Sequence, residues 1–104
     1  MTDLKYTHVG LGWQPLVKPL EELCIANGVK VRQVKEKFGT LRIHVDHIDD
    51  EELSDKVYRM IKSAEHLANI TCEMCGEYGE HGGKYWLKTY CQKHHDEENK
   101  RLED

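Results

Sequence analysis

Two short pairs of sulfur and nitrogen donors stand in the last third of this chain and constrain it more than any other feature. Cys72-Glu73-Met74-Cys75-Gly76 is a C-x-x-C-G segment, and Cys91-Gln92-Lys93-His94 is a C-x-x-H segment fifteen residues further on. A borderline-soft divalent metal needs four such donors in a tetrahedron, and two closely spaced pairs brought together by a fold supply them. The pattern predicts Zn2+ bound by Cys72, Cys75, Cys91 and His94. His95 competes for the fourth place, but in a helix it points about 100° away from His94, so one ion takes one of the two, and His94 is preferred. Four protein ligands leave no open position for water, so the zinc is expected to be structural. A redox reading of Cys72 and Cys75 lacks a βαβ context and leaves Cys91 and His94 unused. Three buried thiols with a surface histidine would leave the paired spacing unexplained.

The residues between the pairs describe how the fold would close. Gly76 allows the backbone to turn over the metal, and Gly82-Gly83 precedes a strand-like run, Lys84 to Tyr90. Thr89 with Gln92 three residues on is a capping box, which would start a helix inside the second ligand pair. Asp96, Glu97 and Glu98 come early in that helix and Lys100 and Arg101 late, as the helix dipole prefers. Knuckle, β-hairpin and helix in this order are treble-clef-like. A plain zinc ribbon would instead place the second pair on another knuckle.

Residues 1–70 read as a small α+β core on which the finger, residues 71–104, packs. After an irregular lead-in with Gly10 and Gly12, Pro15 suits the first helical position. Leu16, Leu20, Leu23 and Cys24 recur at helical spacing, and Asn27-Gly28 ends the helix. Pro19 inside this span is expected to delay its regular start. Val29 to Val45 reads as a β-hairpin in which Leu41, Ile43 and Val45 alternate with polar residues. The parity slips near Arg32-Gln33, so a bulge is expected there, and Phe38-Gly39-Thr40 supplies the turn. Asp49 with Glu52 marks a second helix, whose stripe is Leu53, Val57, Met60, Ile61, Ala64, Leu67 and Ala68. The fold class is thus α+β, a helix–β-hairpin–helix core with a C-terminal treble-clef-like zinc finger.

Composition narrows the setting. A chain of 104 residues with 38% hydrophobic and 33% charged residues suits one small domain with a modest core, which a metal clip would reinforce. No apolar run is long enough to cross a bilayer, and the first residues lack the apolar stretch of a secretory signal. The expected location is the cytoplasm. The net charge of −4 argues against nucleic-acid binding over the whole surface. Its distribution is uneven, with Lys30, Arg32, Lys35, Lys37 and Arg42 against Glu36 alone, then six acids from Asp46 to Asp55. Those acids are expected chiefly to support the start of the second helix.

Gly12-Trp13, Gln33-Val34-Lys35-Glu36-Lys37-Phe38-Gly39-Thr40-Leu41-Arg42, Ala64-Glu65, Thr71-Cys72-Glu73-Met74-Cys75-Gly76, Trp86, Thr89 and Cys91-x-x-His94 together resemble a group of small, uncharacterised, zinc-finger-like phage and prophage proteins. The resemblance covers most of the chain. It implies a viral or mobile-element origin and the host-cell cytoplasm, and brings no activity, substrate or catalytic residue.

Three functions follow as expectations. The first is a noncatalytic binding module whose partner is a host or phage protein, as an inhibitor of host defence or a regulator. Candidate contacts are Tyr85, Trp86, Lys88 and the acids after His95. The alternative is nucleic-acid binding through the basic hairpin, with Phe38 stacking a base beside Lys35, Lys37 and Arg42. Against it, a lone Phe is usually buried, so Phe38 is expected in the core. A ββα-metal-type nuclease comes third: beyond His94, only His81 and His95 lie near the finger, and His81 is expected in an exposed Gly-rich loop. His8, His44, His47 and His66 form no recognisable spacing, although His44 and His47 flank the acidic stretch. Trp13 and Trp86 are expected in packing before ligand contact. Open sheet edges would admit a homodimer.

Overall fold

A computed structural model describes residues 9–103 of the chain. His8, one of the scattered histidines, lies outside the described residues. Helix α1 (Gln14–Ala26) is followed by strands β1 (Val31–Lys37) and β2 (Thr40–Val45) and helix α2 (Glu51–Ala68). Strands β3 (Glu80–Gly82) and β4 (Lys88–Tyr90) and helix α3 (Gln92–Glu103) complete the order. The class is α+β with two separate antiparallel hairpins, β1–β2 and β3–β4.

Helix α1 starts one residue before Pro15, with Trp13 at its N-cap position, and runs through Pro19 without interruption. Pro19 lacks the N–H that would reach the carbonyl of Pro15. Both prolines are exposed, so water can satisfy that carbonyl. The buried face is Val17, Leu20 and Cys24, with Leu16 and Leu23 partly covered. Val17 belongs to the same stripe at i, i+3 and i+7. The helix ends as its residues dictate: Val29 N–H donates to the Cys24 carbonyl at 2.8 Å while Gly28 adopts φ 71°.

The first hairpin carries the expected bulge, a register shift between Val31 and Gln33 that returns Val31 and Val34 to one buried side. Val34 faces Ile43 and Glu36 faces Leu41 on the core side, whereas Lys35 faces Arg42 and Lys37 faces Thr40 on the other. Helix α2 closes the core with Val57, Ile61, Ala64 and Ala68, and Leu67 sits at its exposed margin. Its cap is Asp50, one residue beyond the expected Asp49. The Asp50 carboxylate accepts the Leu53 N–H at 3.1 Å, and Glu51 and Glu52 occupy the first turn. Glu65, on the same helix, accepts the Ile43 N–H at 3.2 Å and so occupies part of the outer edge of β2. Among the described residues no helix is long and apolar enough to cross a membrane.

The finger departs from expectation in three places. Only Lys88–Tyr90 of the strand-like run pairs as a strand; residues 84–87 belong to the loop that joins β3 to β4. The capping box is not formed, because Thr89 is a fully buried residue of β4 and its hydroxyl donates to the Gly39 carbonyl at 2.7 Å. The acids of α3 lie beyond its first turn, which holds none, while Lys100 and Arg101 do occupy the last.

Candidate metal centre and hairpin junction

The C-x-x-C-G segment folds as a tight knuckle. Gly76 N–H donates to the Cys72 carbonyl at 2.9 Å, Cys72 N–H donates to the Glu77 carbonyl at 2.7 Å, and Gly76 takes φ 85°. The left-handed value explains why glycine follows the second cysteine. Helix α3 begins directly after Cys91, which puts His94 in its first turn and turns its Nδ1 toward the thiols. Nδ1 of His94 lies 3.1 Å from Cys91 Sγ and 3.4 Å from Cys72 Sγ, and Cys75 Sγ lies 3.8 Å from Cys91 Sγ. All four donor atoms fall within 4.8 Å of one another.

Cys72, Cys75, Cys91 and His94 are therefore positioned to bind a metal ion. The donor set and spacing fit zinc: tetrahedral bonds of about 2.3 Å to sulfur and 2.0 Å to nitrogen imply S···S edges of about 3.8 Å and S···N edges of about 3.5 Å. Burial alone would push the Cys72 thiol up. The amides of Cys91, Cys75 and Met74 and the Cys75 side chain outweigh it and hold Cys72 at about 6. Those N–H donors stabilise a thiolate, the form a metal requires. His95 is turned the other way and donates through Nε2 to the Glu80 carbonyl at 2.7 Å, which ties α3 to β3. The choice between His94 and His95 thus follows from which face of α3 meets the knuckle. Among the described residues this is the only group of three or more donors positioned for a metal. His47 pairs with Asp49 on the surface, without further ligands.

The knuckle is anchored to the start of the fold. Trp13, fully buried, donates through Nε1 to the Thr71 carbonyl at 2.7 Å. Gly12 N–H donates to the Glu73 carbonyl at 2.8 Å, and Gly10 N–H donates to the Glu73 carboxylate at 3.0 Å. A β-carbon at Gly12 would overlap the Cys72 carbonyl oxygen and the Gly76 amide. Burial raises the Glu73 carboxyl above its ordinary range. None of these ties was visible in the sequence; the only signal was the pairing of small Gly12 with bulky Trp13.

The two hairpins also meet. Thr89 holds the Gly39 carbonyl, His81 Nε2 donates to the Phe38 carbonyl at 2.7 Å, and Lys88 Nζ lies 3.5 Å from the Glu36 carboxylate. Glu36 in turn accepts the Gly39 N–H at 2.6 Å. His81 is exposed as expected, but it is a strand residue whose ring fastens the β1–β2 turn rather than part of a Gly-rich loop. Burial and the nearby acids Glu73, Glu98 and Glu36 push the Tyr90 phenol up to about 12, so it stays neutral.

Phe38 contradicts its expected burial. Its side chain is 65% exposed, and its backbone takes φ 54°, a region costly for a bulky residue by about 1–3 kcal/mol. Phe38 and Gly39 are both at positive φ, as a two-residue turn matching the hairpin twist demands. In that conformation the ring points away from the core. Trp86 is likewise 62% exposed and does not pack as expected. Phe38, Trp86 and Leu87 line one cleft with Glu36, Lys88, Glu98 and Arg101. Tyr85 and Lys84 close on Glu103 at the end of α3 instead, at 3.3 and 2.8 Å. Lys35, Lys37 and Arg42 project from the outward face of the first hairpin. No protein-family model, curated protein or solved structure matches the chain.

Proposed function

We propose that this chain is a noncatalytic zinc-binding protein that acts by engaging a protein partner. Its finger is read as treble-clef-like, with zinc as the structural ion of a closed Cys3His site. The observation that carries the reading is the cleft at the hairpin junction. Phe38, Trp86 and Leu87 leave large apolar surfaces in water, although Trp and other large side chains in pockets are the usual anchors of protein interfaces. The charges around them are paired, Glu36 with Lys88 and Glu98 with Arg101, so the cleft presents apolar surface inside a neutralised rim. A partner that inserts an apolar side chain there would gain burial without stranding a charge.

The resemblance to phage and prophage proteins makes a host or phage protein the natural partner class, in inhibition of host defence or in regulation. Metal analysis of the purified protein tests the first half: one zinc per chain is expected, lost in Cys72→Ser and Cys91→Ser but retained in His95→Ala. Crosslinked co-purification from the native host tests the second. The same proteins should be recovered with the unaltered chain and with a Lys35→Ser/Arg42→Ser variant, and lost with Trp86→Ser. Equal recovery with Trp86→Ser would remove the cleft from the account.

A further inference from the structure

The outward face of the first hairpin has an arrangement that stability alone does not ask for. Gln33, Lys35 and Lys37 on β1 stand opposite His44, Arg42 and Thr40 on β2. That face carries three permanent cations and no acid, and it places Lys35 directly across from Arg42. Like charges in directly opposed positions destabilise a strand pair. The neighbouring acids are engaged elsewhere. Glu36, between the two lysines in sequence, faces the core side and serves Gly39 and Lys88. Asp46 is held by Arg32, and Glu65 by the Ile43 amide and Lys62. Among the described residues none of Lys35, Lys37 and Arg42 forms an ion pair.

At the tip of the same hairpin the Phe38 ring is held in solvent, with Lys37 Nζ 5.9 Å from its centroid. The turn that displays it is fixed from behind by His81 and Thr89, so the ring is presented on a braced backbone. Cations with no acidic partner, Arg42 donating only to the Thr40 hydroxyl at 3.2 Å, beside an exposed aromatic on a braced turn match what a single-stranded nucleic acid offers: phosphates at short intervals and bases with free faces to stack. A duplex would meet the cations equally well but would leave the ring without a base.

We propose that the outward face of the β1–β2 hairpin binds single-stranded nucleic acid, with Lys35, Lys37 and Arg42 holding phosphates and Phe38 stacking one base. This goes beyond the protein-partner reading and uses a different face, sharing only Phe38 with the cleft. The test needs the purified, zinc-loaded chain alone, so failure of either reading leaves the other standing.

Fluorescence anisotropy with a labelled oligothymidylate at low salt measures it. Three phosphate contacts predict a log–log salt slope of about −2 for a single strand. Lys35→Gln/Arg42→Gln is expected to reduce the slope to about −0.7, leaving one contact. Phe38→Gly suits the left-handed turn, so the chain should fold, and it is expected to weaken binding about tenfold with the slope unchanged. Unlabelled single strand should compete better than duplex of the same length. Absence of binding at low salt would overturn the proposal. So would equal competition by duplex with no effect of Phe38→Gly. Competition by polyglutamate as effective as by the oligonucleotide would reassign the face to an acidic protein.

Discussion

Residues 9–68 and residues 69–103 hold their shapes by different means. Every member of the main buried apolar cluster lies between Val9 and Ala68, where two amphipathic helices cover one side of a bulged hairpin. Beyond Ala68 the buried apolar residues are Cys72 and Tyr90, and helix α3 buries none of its residues. The first region is organised by exclusion of water, the second by four donor atoms around one point. With an ion held by the four donors, as proposed above, the finger's geometry would depend on that ion, whereas the core's depends on buried area.

Metal removal should expose that difference most strongly. Structural zinc in small fingers contributes about 10–16 kcal/mol near neutral pH, far more than this finger's apolar contacts can replace. Hydrogen exchange after chelation is expected to show lost protection across residues 72–103 and retained protection in α1 and α2. A single cooperative collapse of both regions would break the distinction. Next in size is Trp13→Ala, expected to cost about 3–5 kcal/mol in urea denaturation, because the whole indole is buried. Trp13→Phe refines it by keeping a ring while removing the donor to Thr71. A loss of about 1–2 kcal/mol is expected, with weakened zinc affinity if the two regions are coupled there.

Smaller effects probe the seam between the hairpins. Thr89→Val leaves the Gly39 carbonyl without its buried donor and should cost about 1–3 kcal/mol by thermal or urea unfolding. Phe38→Asn has the opposite sign. Asparagine tolerates the left-handed turn, so a gain of up to about 1 kcal/mol is expected. A destabilised Phe38→Asn protein would mean that the ring packs in solution, which would erase the contrast between its burial and that of Trp13.

The elements with local signatures were the ones legible beforehand. Alternation at Leu41, Ile43 and Val45 and the parity slip near Gln33 defined the hairpin and its bulge, because strand parity admits only one correction. The grouping of Cys72, Cys75, Cys91 and His94 was legible for the same reason, since pair spacing is a local quantity. Where reading failed, a distant contact decided. Thr89 offers a good capping sequence, yet its hydroxyl is claimed by Gly39, fifty residues away. Phe38 is an apolar residue by composition, but the turn handed to it by Gly39 sends its ring outward. The loop 84–87 has strand-forming residues without a partner strand long enough to pair them.

The ties between residues 10–13 and the knuckle have a consequence in time. The Trp13 indole N–H and the Gly10 amide find their partners 58 and 63 positions later in the chain. A ribosome adds about 5–20 residues per second, so these groups are made several seconds before their partners exist. The first hairpin and helix α2 are completed within that interval, while the leading edge of helix α1 stays unsealed. The knuckle residues Thr71 and Glu73, made that much later, are what close the leading edge of helix α1.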